Sequence, residues 1–198
     1  MSSRLLFTIA AMAAGIFTHA QSVLYGTTPD GGKHGVGVLF SIDPTTRTYV
    51  DRVDFDDVNG AFPSGTLVQA DDGKLYGMTS YGGNMREGAI FSYNPLTGVY
   101  NNVFNFGGAQ GGQPMGNGLL KASNGKLYGL TNGGVNNGIN VLFSYDPSKG
   151  TYEKLFDFTS RSLSNVGTLA QGQKGKLYGL LSDGIFSFDP VTNTYATL

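Results

Sequence analysis

The chain has 198 residues with 13 basic and 14 acidic side chains, and this balance excludes a strong electrostatic attraction to nucleic acid or to anionic membranes. It contains no cysteine, which excludes disulfide bonds and thiolate metal sites. Glycine is common, at 31 residues, beside 11 Tyr and 13 Phe, and this combination favours short strands joined by tight turns.

The first 20 residues are predicted to be a secretory signal peptide. Arg4 gives a positive start, residues 5–17 are uncharged and mostly apolar, and Thr18 and Ala20 place small residues before a cleavage site. A short membrane anchor or a buried helix is the alternative, but the run is shorter than the ~20 residues of a membrane span. We therefore expect a secreted or cell-surface protein with no membrane span after signal removal.

The remaining chain, 21–198, carries a tandem repeat marked by three features that recur about every 50 residues. The tripeptide Leu-Tyr-Gly begins at Leu24, Leu75, Leu127 and Leu177. An Asp or Asn then precedes a proline, at Asp43, Asn94, Asp146 and Asp189. A tyrosine follows that proline by five residues, at Tyr49, Tyr100, Tyr152 and Tyr195. The repeat units are approximately 21–64, 65–115, 116–165 and 166–198.

Each unit is predicted to form four antiparallel strands, a to d. In the second unit these are 66–70, 74–80, 89–93 and 99–106, all short, rich in aromatic and β-branched residues and bounded by turn residues. Asp72-Gly73 and Asn124-Gly125 predict type I′ turns between strands a and b. The Asp-Pro-x-x-Gly pattern predicts a proline turn between c and d. Arg47 stands where the other units have Gly or Asn, so we expect that turn to be strained or rearranged.

Strand c is apolar on both faces, which indicates burial on both faces. One face carries Phe40, Phe91, Phe143 and Phe186, and the other carries Leu39, Ile90, Leu142 and Ile185. Sheets packed face to face at this period predict an all-β chain built of β-propeller blades, with a β-solenoid as the alternative. The glycine of each Leu-Tyr-Gly is expected to lie under a bulky side chain of the neighbouring sheet.

The repeat resembles the GloVer tandem-repeat proteins of bacteria. The pattern GKLYGMTSYGG…GAIFSYNPLTG at 73–98 and its copy GKLYGLTNGG…VLFSYDPSKGTY at 125–152 carry the resemblance, which covers nearly all of the chain after residue 20. It implies exported proteins with many repeats and a variable C-terminal anchor or sorting domain, and no established reaction or ligand. This chain has about three and a half to four blades, which leads us to expect a fragment of a larger propeller, with downstream repeats or an anchor missing.

In such a blade the a–b and c–d turns lie at one end of the sheet, and the longer b–c and d–a loops lie at the other. Variable loops on a rigid scaffold are the usual location of recognition sites, although they also occur as plain solvent loops. The candidate ligand-binding residues, all on the b–c loops or beside them, are Asp30, His34, Tyr81, Asn84, Arg86, Asn132, Asn136 and Asn137. Their side chains suit an extracellular glycan or a protein.

The sequence predicts no catalytic residue, metal site or cofactor. His34 is the only histidine after residue 20, and no acid or base recurs at one loop position of the repeats, which favours a binding or structural module over an enzyme. The alternative is a carbohydrate-active lyase or hydrolase with a site on the loop end, and a passive spacer is a third class.

Overall fold

The described part of the computed structural model, residues 23–114, 118–131, 133, 140–158, 169–181 and 184–198, forms four antiparallel sheets. The first sheet contains β1 (Leu24–Thr28), β2 (Val38–Asp43) and β3 (Thr48–Asp54). The second contains β4 (Ala61–Gln69), β5 (Leu75–Tyr81), β6 (Ala89–Tyr93) and β7 (Tyr100–Asn105). The third contains β8 (Leu120–Lys121), β9 (Leu127–Leu130), β10 (Asn140–Asp146) and β11 (Thr151–Phe158). The fourth contains β12 (Ala170–Gln171), β13 (Leu177–Leu181), β14 (Gly184–Asp189) and β15 (Thr194–Thr197).

This arrangement confirms the predicted all-β class and the repeated four-stranded unit. In each sheet the strands pair in chain order, and the first sheet consists of strands b, c and d. Strand β6 has the predicted bounds, whereas β4 begins at Ala61, five residues before the predicted strand a. The pairing of β4 with β5 breaks between Ser64 and Val68, so the extra residues are accommodated by an irregular register at the edge of the sheet. Pro63 is tolerated there because an edge strand has backbone groups outside the ladder.

Neighbouring sheets pack through two different faces. We call the face that carries Phe40, Phe91, Phe143 or Phe186 the Phe side of its sheet, and the face that carries Leu39, Ile90, Leu142 or Ile185 the Leu side. At the first junction Leu39 packs with Phe91 and Tyr93; at the second Ile90 packs with Phe143 and Tyr145; at the third Leu142 packs with Phe186 and Phe188. Every junction therefore joins the Leu side of one sheet to the Phe side of the next.

An aromatic ring at the end of strand d completes each junction. Phe55, Phe106 and Phe158 place their ring centroids 5.5, 5.3 and 5.2 Å from those of Phe91, Phe143 and Phe186 in the following sheet. The interplanar angles are 60°, 63° and 63°, close to the tilted arrangement that aromatic pairs favour. The three junctions thus repeat one packing solution.

The glycine of Leu-Tyr-Gly does meet a bulky side chain, but the predicted source of that side chain is wrong. Gly77 pairs directly with Phe91, and Gly129 with Phe143, on the adjacent strand of the same sheet. A Cβ at either glycine would lie 2.4 Å from Cζ of the phenylalanine ring. The ring therefore lies flat across the partner strand's glycine, and its outer surface forms part of the Phe side.

The turns at the other end of the sheets correct one prediction and confirm another. In the a–b turn of the second sheet the Gly73 N–H donates to the Ala70 carbonyl (3.0 Å), and of its two predicted central residues only Gly73 has positive φ, at 77°. This is a type I turn closed by a glycine bulge, not type I′, because the loop contains three residues.

In the c–d turns the Asp or Asn before proline accepts backbone N–H groups as predicted. Arg47 adopts φ of 57°, as Gly98 does at 72°, so the first turn is strained but not rearranged.

Candidate ligand-binding face

The loop face is the end of the sheets that carries the b–c and d–a loops. The b–c loops of the first two sheets share one backbone arrangement: the Gly37 N–H donates to the Gly31 carbonyl, and the Gly88 N–H donates to the Gly82 carbonyl, both at 3.1 Å. These loops were expected to vary, but in the first two sheets the variation lies in side chains carried on a common frame.

The end of strand d holds each of these b–c loops in place. The Lys33 N–H donates to Oδ1 of Asp54 (2.7 Å), and the Asn84 N–H donates to Oδ1 of Asn105 (3.1 Å). Asp54 and Asn105 occupy equivalent positions just before Phe55 and Phe106. The side chains at the loop tips are therefore presented from a backbone that is hydrogen-bonded to the sheet.

The d–a loops are tied to the same frame. The Gly83 N–H donates to the Asp57 carbonyl (2.8 Å), which joins the b–c loop of the second sheet to the preceding d–a loop. Ser64 and Ser80 both donate their hydroxyl protons to the Pro114 carbonyl, at 2.7 and 2.9 Å. The loop face is consequently one connected hydrogen-bonded layer over the first two sheets.

Repeated tyrosines of strand d add a second set of ties. The Tyr152 hydroxyl donates to the Gln110 carbonyl (2.6 Å), and the Tyr100 hydroxyl donates to the Asn59 carbonyl. Each acceptor lies in the d–a loop of the preceding unit. Burial raises the pKa of both tyrosines, so their hydroxyls remain protonated and able to donate through the physiological range.

The predicted residues that fall within the described structure lie on this face and are exposed. Asp30 and His34 lie on the first b–c loop, and Asn84 and Arg86 lie on the second. Tyr81 ends β5 at the base of the second loop. The remaining predicted residues, Asn132, Asn136 and Asn137, lie outside the described residues, as do residues 1–20 of the predicted signal peptide.

A partner of Tyr81 was not among the predicted residues. Phe62 contacts Tyr81 edge to face, with ring centroids 5.9 Å apart at 83°, and the two side chains are 36% and 40% exposed. Phe62 has φ of 52°, an unusual value for a bulky residue, and its N–H donates to the Val36 carbonyl (2.8 Å). We call these two residues the aromatic pair.

The backbone conformation of Phe62 recurs in the next unit, whereas its ring does not. Gln113 occupies the equivalent position in the next unit, with φ of 48°, and its N–H donates to the Glu87 carbonyl (2.7 Å). A comparison of these two positions in the sequence would have been the one available signal for Phe62. The aromatic pair therefore distinguishes the first of these two d–a loops from the second.

The turn face, at the opposite end, carries grooves between neighbouring sheets. One, of about 350 Å³, lies between the a–b turns of the second and third sheets, and another, of about 540 Å³, lies between those of the third and fourth. Carboxylates in the first groove are paired with lysines: Asp71 with Lys121 at 2.5 Å and Asp72 with Lys74 at 2.9 Å. Although burial raises the pKa of Asp72, hydrogen bonds from Lys74 and Tyr76 outweigh it and hold that pKa below its usual range.

Two further observations concern metal sites and membrane-spanning helices. Within the described ranges, no group of three or more His, Cys, Asp or Glu side chains is placed to hold a metal ion. No helix in that part of the chain is long and apolar enough to cross a membrane.

A comparison with known protein families identifies the repeat. A family model described as the Gloeobacter/Verrucomicrobia repeat matches residues 8–189. No curated protein matches the chain.

Solved structures resemble its fold at low sequence identity. An extracellular domain from B. thetaiotaomicron, described as part of a one-component system, matches with a TM-score of 0.59 and 17% identity over 83% of this chain and 20% of its own. TolB from Acinetobacter baumannii matches with a TM-score of 0.54 and 11% identity, over 89% of this chain and 41% of its own. An oligogalacturonate lyase in complex with manganese matches with a TM-score of 0.56 and 12% identity, over 82% of this chain and 42% of its own. The chain thus spans between about one fifth and two fifths of these propeller-like structures.

Proposed function

We propose, from the premise that this chain belongs to the Gloeobacter/Verrucomicrobia repeat family, that it is an exported surface module that binds a neutral glycan on its loop face. The aromatic pair is the observation that carries the proposal. Phe62 and Tyr81 leave more than a third of their surface in solvent although both belong to ordered strands. Half-exposed aromatic rings offer a flat apolar surface, and the apolar face of a pyranose ring packs on such a surface.

The surroundings of the aromatic pair support a neutral ligand. The b–c and d–a loops of the first two sheets carry both signs of charge, with Asp30, Asp56 and Asp57 as well as Lys33 and Arg86. Such a mixture steers neither a polyanion nor a polycation, whereas the polar side chains supply donors and acceptors for sugar hydroxyls. The hydrogen-bonded frame reduces the entropy cost of ordering these loops on binding.

Export and surface location form part of the proposal. The predicted signal peptide supports them, and so does the extracellular domain that resembles this fold, although its 17% identity concerns the fold alone. The likeness to an oligogalacturonate lyase makes glycan cleavage the second outcome to look for in a binding test.

Binding is tested with a glycan array and isothermal titration against the neutral oligosaccharides that the array selects. We expect Phe62→Ala and Tyr81→Ala each to weaken binding at least tenfold, because each removes half of the stacking surface. Leu96→Ala is the control, since Leu96 is an exposed apolar residue at a c–d turn, away from both the loop face and the end faces, and it should change affinity less than twofold.

Three outcomes would contradict the proposal. They are an array without neutral hits, equal binding by all three variants, and binding of peptides in place of glycans. Shortening of a bound oligosaccharide, seen by mass spectrometry, would instead favour the enzymatic alternative.

A further inference from the structure

In the described part of the chain, the first and the fourth sheet each have one face that no other sheet covers. These two faces are of the two kinds, Phe side and Leu side, that pack together at the internal junctions. At the first sheet the Phe side has no sheet packed on it, and at the fourth sheet the Leu side has none, within the described structure. Leu24 and Tyr49 on the open Phe side are 55% and 51% exposed, and Leu180 and Ile185 on the open Leu side are 51% and 45% exposed.

The residues at these ends are the equivalents of core residues in the other sheets. On the Phe side, Leu24 corresponds to Leu75, Leu127 and Leu177, which are 9%, 0% and 0% exposed. On the Leu side, Ile185 corresponds to Leu39, Ile90 and Leu142, all fully buried. The exposed apolar surface at each end is therefore of the kind that a neighbouring sheet covers three times inside the molecule.

The aromatic stack of the Phe side is already formed at the open end. Phe40 and Tyr49 stack with centroids 5.2 Å apart at 27°, against 5.5 Å and 28° for Phe91 with Tyr100. The open face therefore has the same local shape as a covered one. The Leu side of the fourth sheet is likewise formed, because Ile185 is paired with Leu180 across β13 and β14.

We propose that the open Leu side of one molecule binds the open Phe side of a second copy, which gives a head-to-tail junction between the same two kinds of face as the internal ones. Continuity with the three internal junctions carries this inference, since each of them joins the same two kinds of face in the same order. In the junction between copies, Leu180, Ile185 and Leu198 of one molecule meet Leu24, Phe40 and Tyr49 of the other. The two faces differ, so the contact is heterologous and each molecule keeps one face free for another copy.

This inference is independent of the proposed glycan binding, because the loop face and the end faces are built from different residues. Its test is sedimentation velocity of the full chain over a concentration series. We expect association that grows with concentration. Leu24→Lys on the Phe side and Ile185→Lys on the Leu side should each raise the apparent dissociation constant at least tenfold, because each introduces a charge into an apolar contact.

A mixing experiment identifies the contact as head to tail. Each variant keeps one intact face, so an equimolar mixture of Leu24→Lys and Ile185→Lys should form heterodimers and nothing larger, because the two remaining faces carry charges of the same sign. Val191→Lys is the control, because Val191 is an exposed apolar residue at a turn of the same fourth sheet and outside the end faces, and this variant should associate within twofold of the unchanged chain.

Several results would overturn the inference. They are a wild-type chain that stays monomeric at 100 times the concentration of the first measurement, end-face variants that associate as the unchanged chain does, and a mixture that remains monomeric. Circular dichroism of each variant verifies that the sheets are intact, which separates a lost contact from a lost fold.

Discussion

The first and the third sheet carry the same aromatic motif in different surroundings. Phe40 and Phe143 both lie over a strand glycine and both stack on a tyrosine of strand d, at 5.2 and 5.3 Å. Phe143 is fully buried and receives the ring of Phe106 from the preceding sheet, whereas Phe40 is half-buried and no ring of a preceding sheet contacts it in the described structure. The comparison shows that the motif alone shapes the Phe side, and we expect most of its contribution to stability to come from burial against the neighbouring sheet.

The largest expected difference between the two sheets concerns these phenylalanines. Phe143→Ala should lower the free energy of unfolding by about 3–5 kcal/mol, because it empties a site enclosed by two sheets. Phe40→Ala should cost less than half as much, since solvent or local rearrangement can occupy the space. Urea denaturation of both variants measures the difference, and equal losses would mean that the end sheet is as well packed as the interior.

The paired glycines give a smaller contrast. In Gly129→Ala the new Cβ would lie 2.4 Å from Cζ of Phe143, and the enclosed ring has no room to move, so we expect a loss of about 1–3 kcal/mol. In Gly26→Ala the corresponding distance to Phe40 is 2.7 Å, but that ring can swing into solvent. The loss should therefore be under about 1 kcal/mol, and thermal denaturation of the two variants is the measurement. A larger effect at Gly26 would contradict the argument from ring freedom.

Tyr152 and Tyr49 of strand d differ in the partner and the burial of their hydroxyl groups, because Tyr152 donates to a loop carbonyl whereas Tyr49 is exposed and bonds to Asp51 of its own strand. Tyr152→Phe removes the donor to the Gln110 carbonyl and should cost about 1–2 kcal/mol, because a hydrogen bond is lost and its acceptor is left in place. Tyr49→Phe changes an exposed hydroxyl and should cost a few tenths of a kcal/mol at most. Hydrogen exchange at the amides of residues 108–113 should also quicken in Tyr152→Phe alone. Unchanged exchange there would show that the loop is held by other contacts.

The smallest effect is a dependence on pH. Burial raises the pKa of Tyr152 above that of a tyrosine in the unfolded chain, about 10. Below that value both states are protonated and the stability is fully present. As the pH rises above it, the unfolded state releases a proton that the folded state retains, so stability falls. The urea midpoint should drop between pH 8 and pH 11, and less steeply in Tyr152→Phe than in Tyr49→Phe. Parallel slopes in the two variants would argue against a buried Tyr152.

Much of this fold could be predicted because its information is repeated four times. The spacing of Leu-Tyr-Gly and of the proline turns located the strands, and the two-faced strand c indicated sheets packed against each other. The partner of Gly77 could not be predicted, because a ring from the next sheet and a ring from the next strand would each explain a strand glycine. The register of β5 against β6 decides between them, and register is a property of the folded sheet.

The a–b turn shows the same limit on a smaller scale. Asp72-Gly73 suits both a two-residue type I′ turn and a three-residue turn with a glycine bulge, and the choice depends on whether Ala70 or a later residue pairs with Lys74. On the loop face, Tyr81 was predicted from its chemistry alone. Phe62 was missed because its residue type does not indicate a positive φ, which an aromatic residue rarely adopts.

The equivalence of the three junctions has a consequence for how such a chain changes over generations. Since every junction joins a Leu side to a Phe side, a recombination event that inserts or removes one whole unit of about 50 residues leaves all remaining junctions compatible. The length of the protein can therefore drift by whole repeats without the invention of any new packing. A residue that has diverged in a single unit, as Phe62 has from Gln113, is inherited or lost together with its repeat, so a specialised surface can be multiplied or deleted in one step.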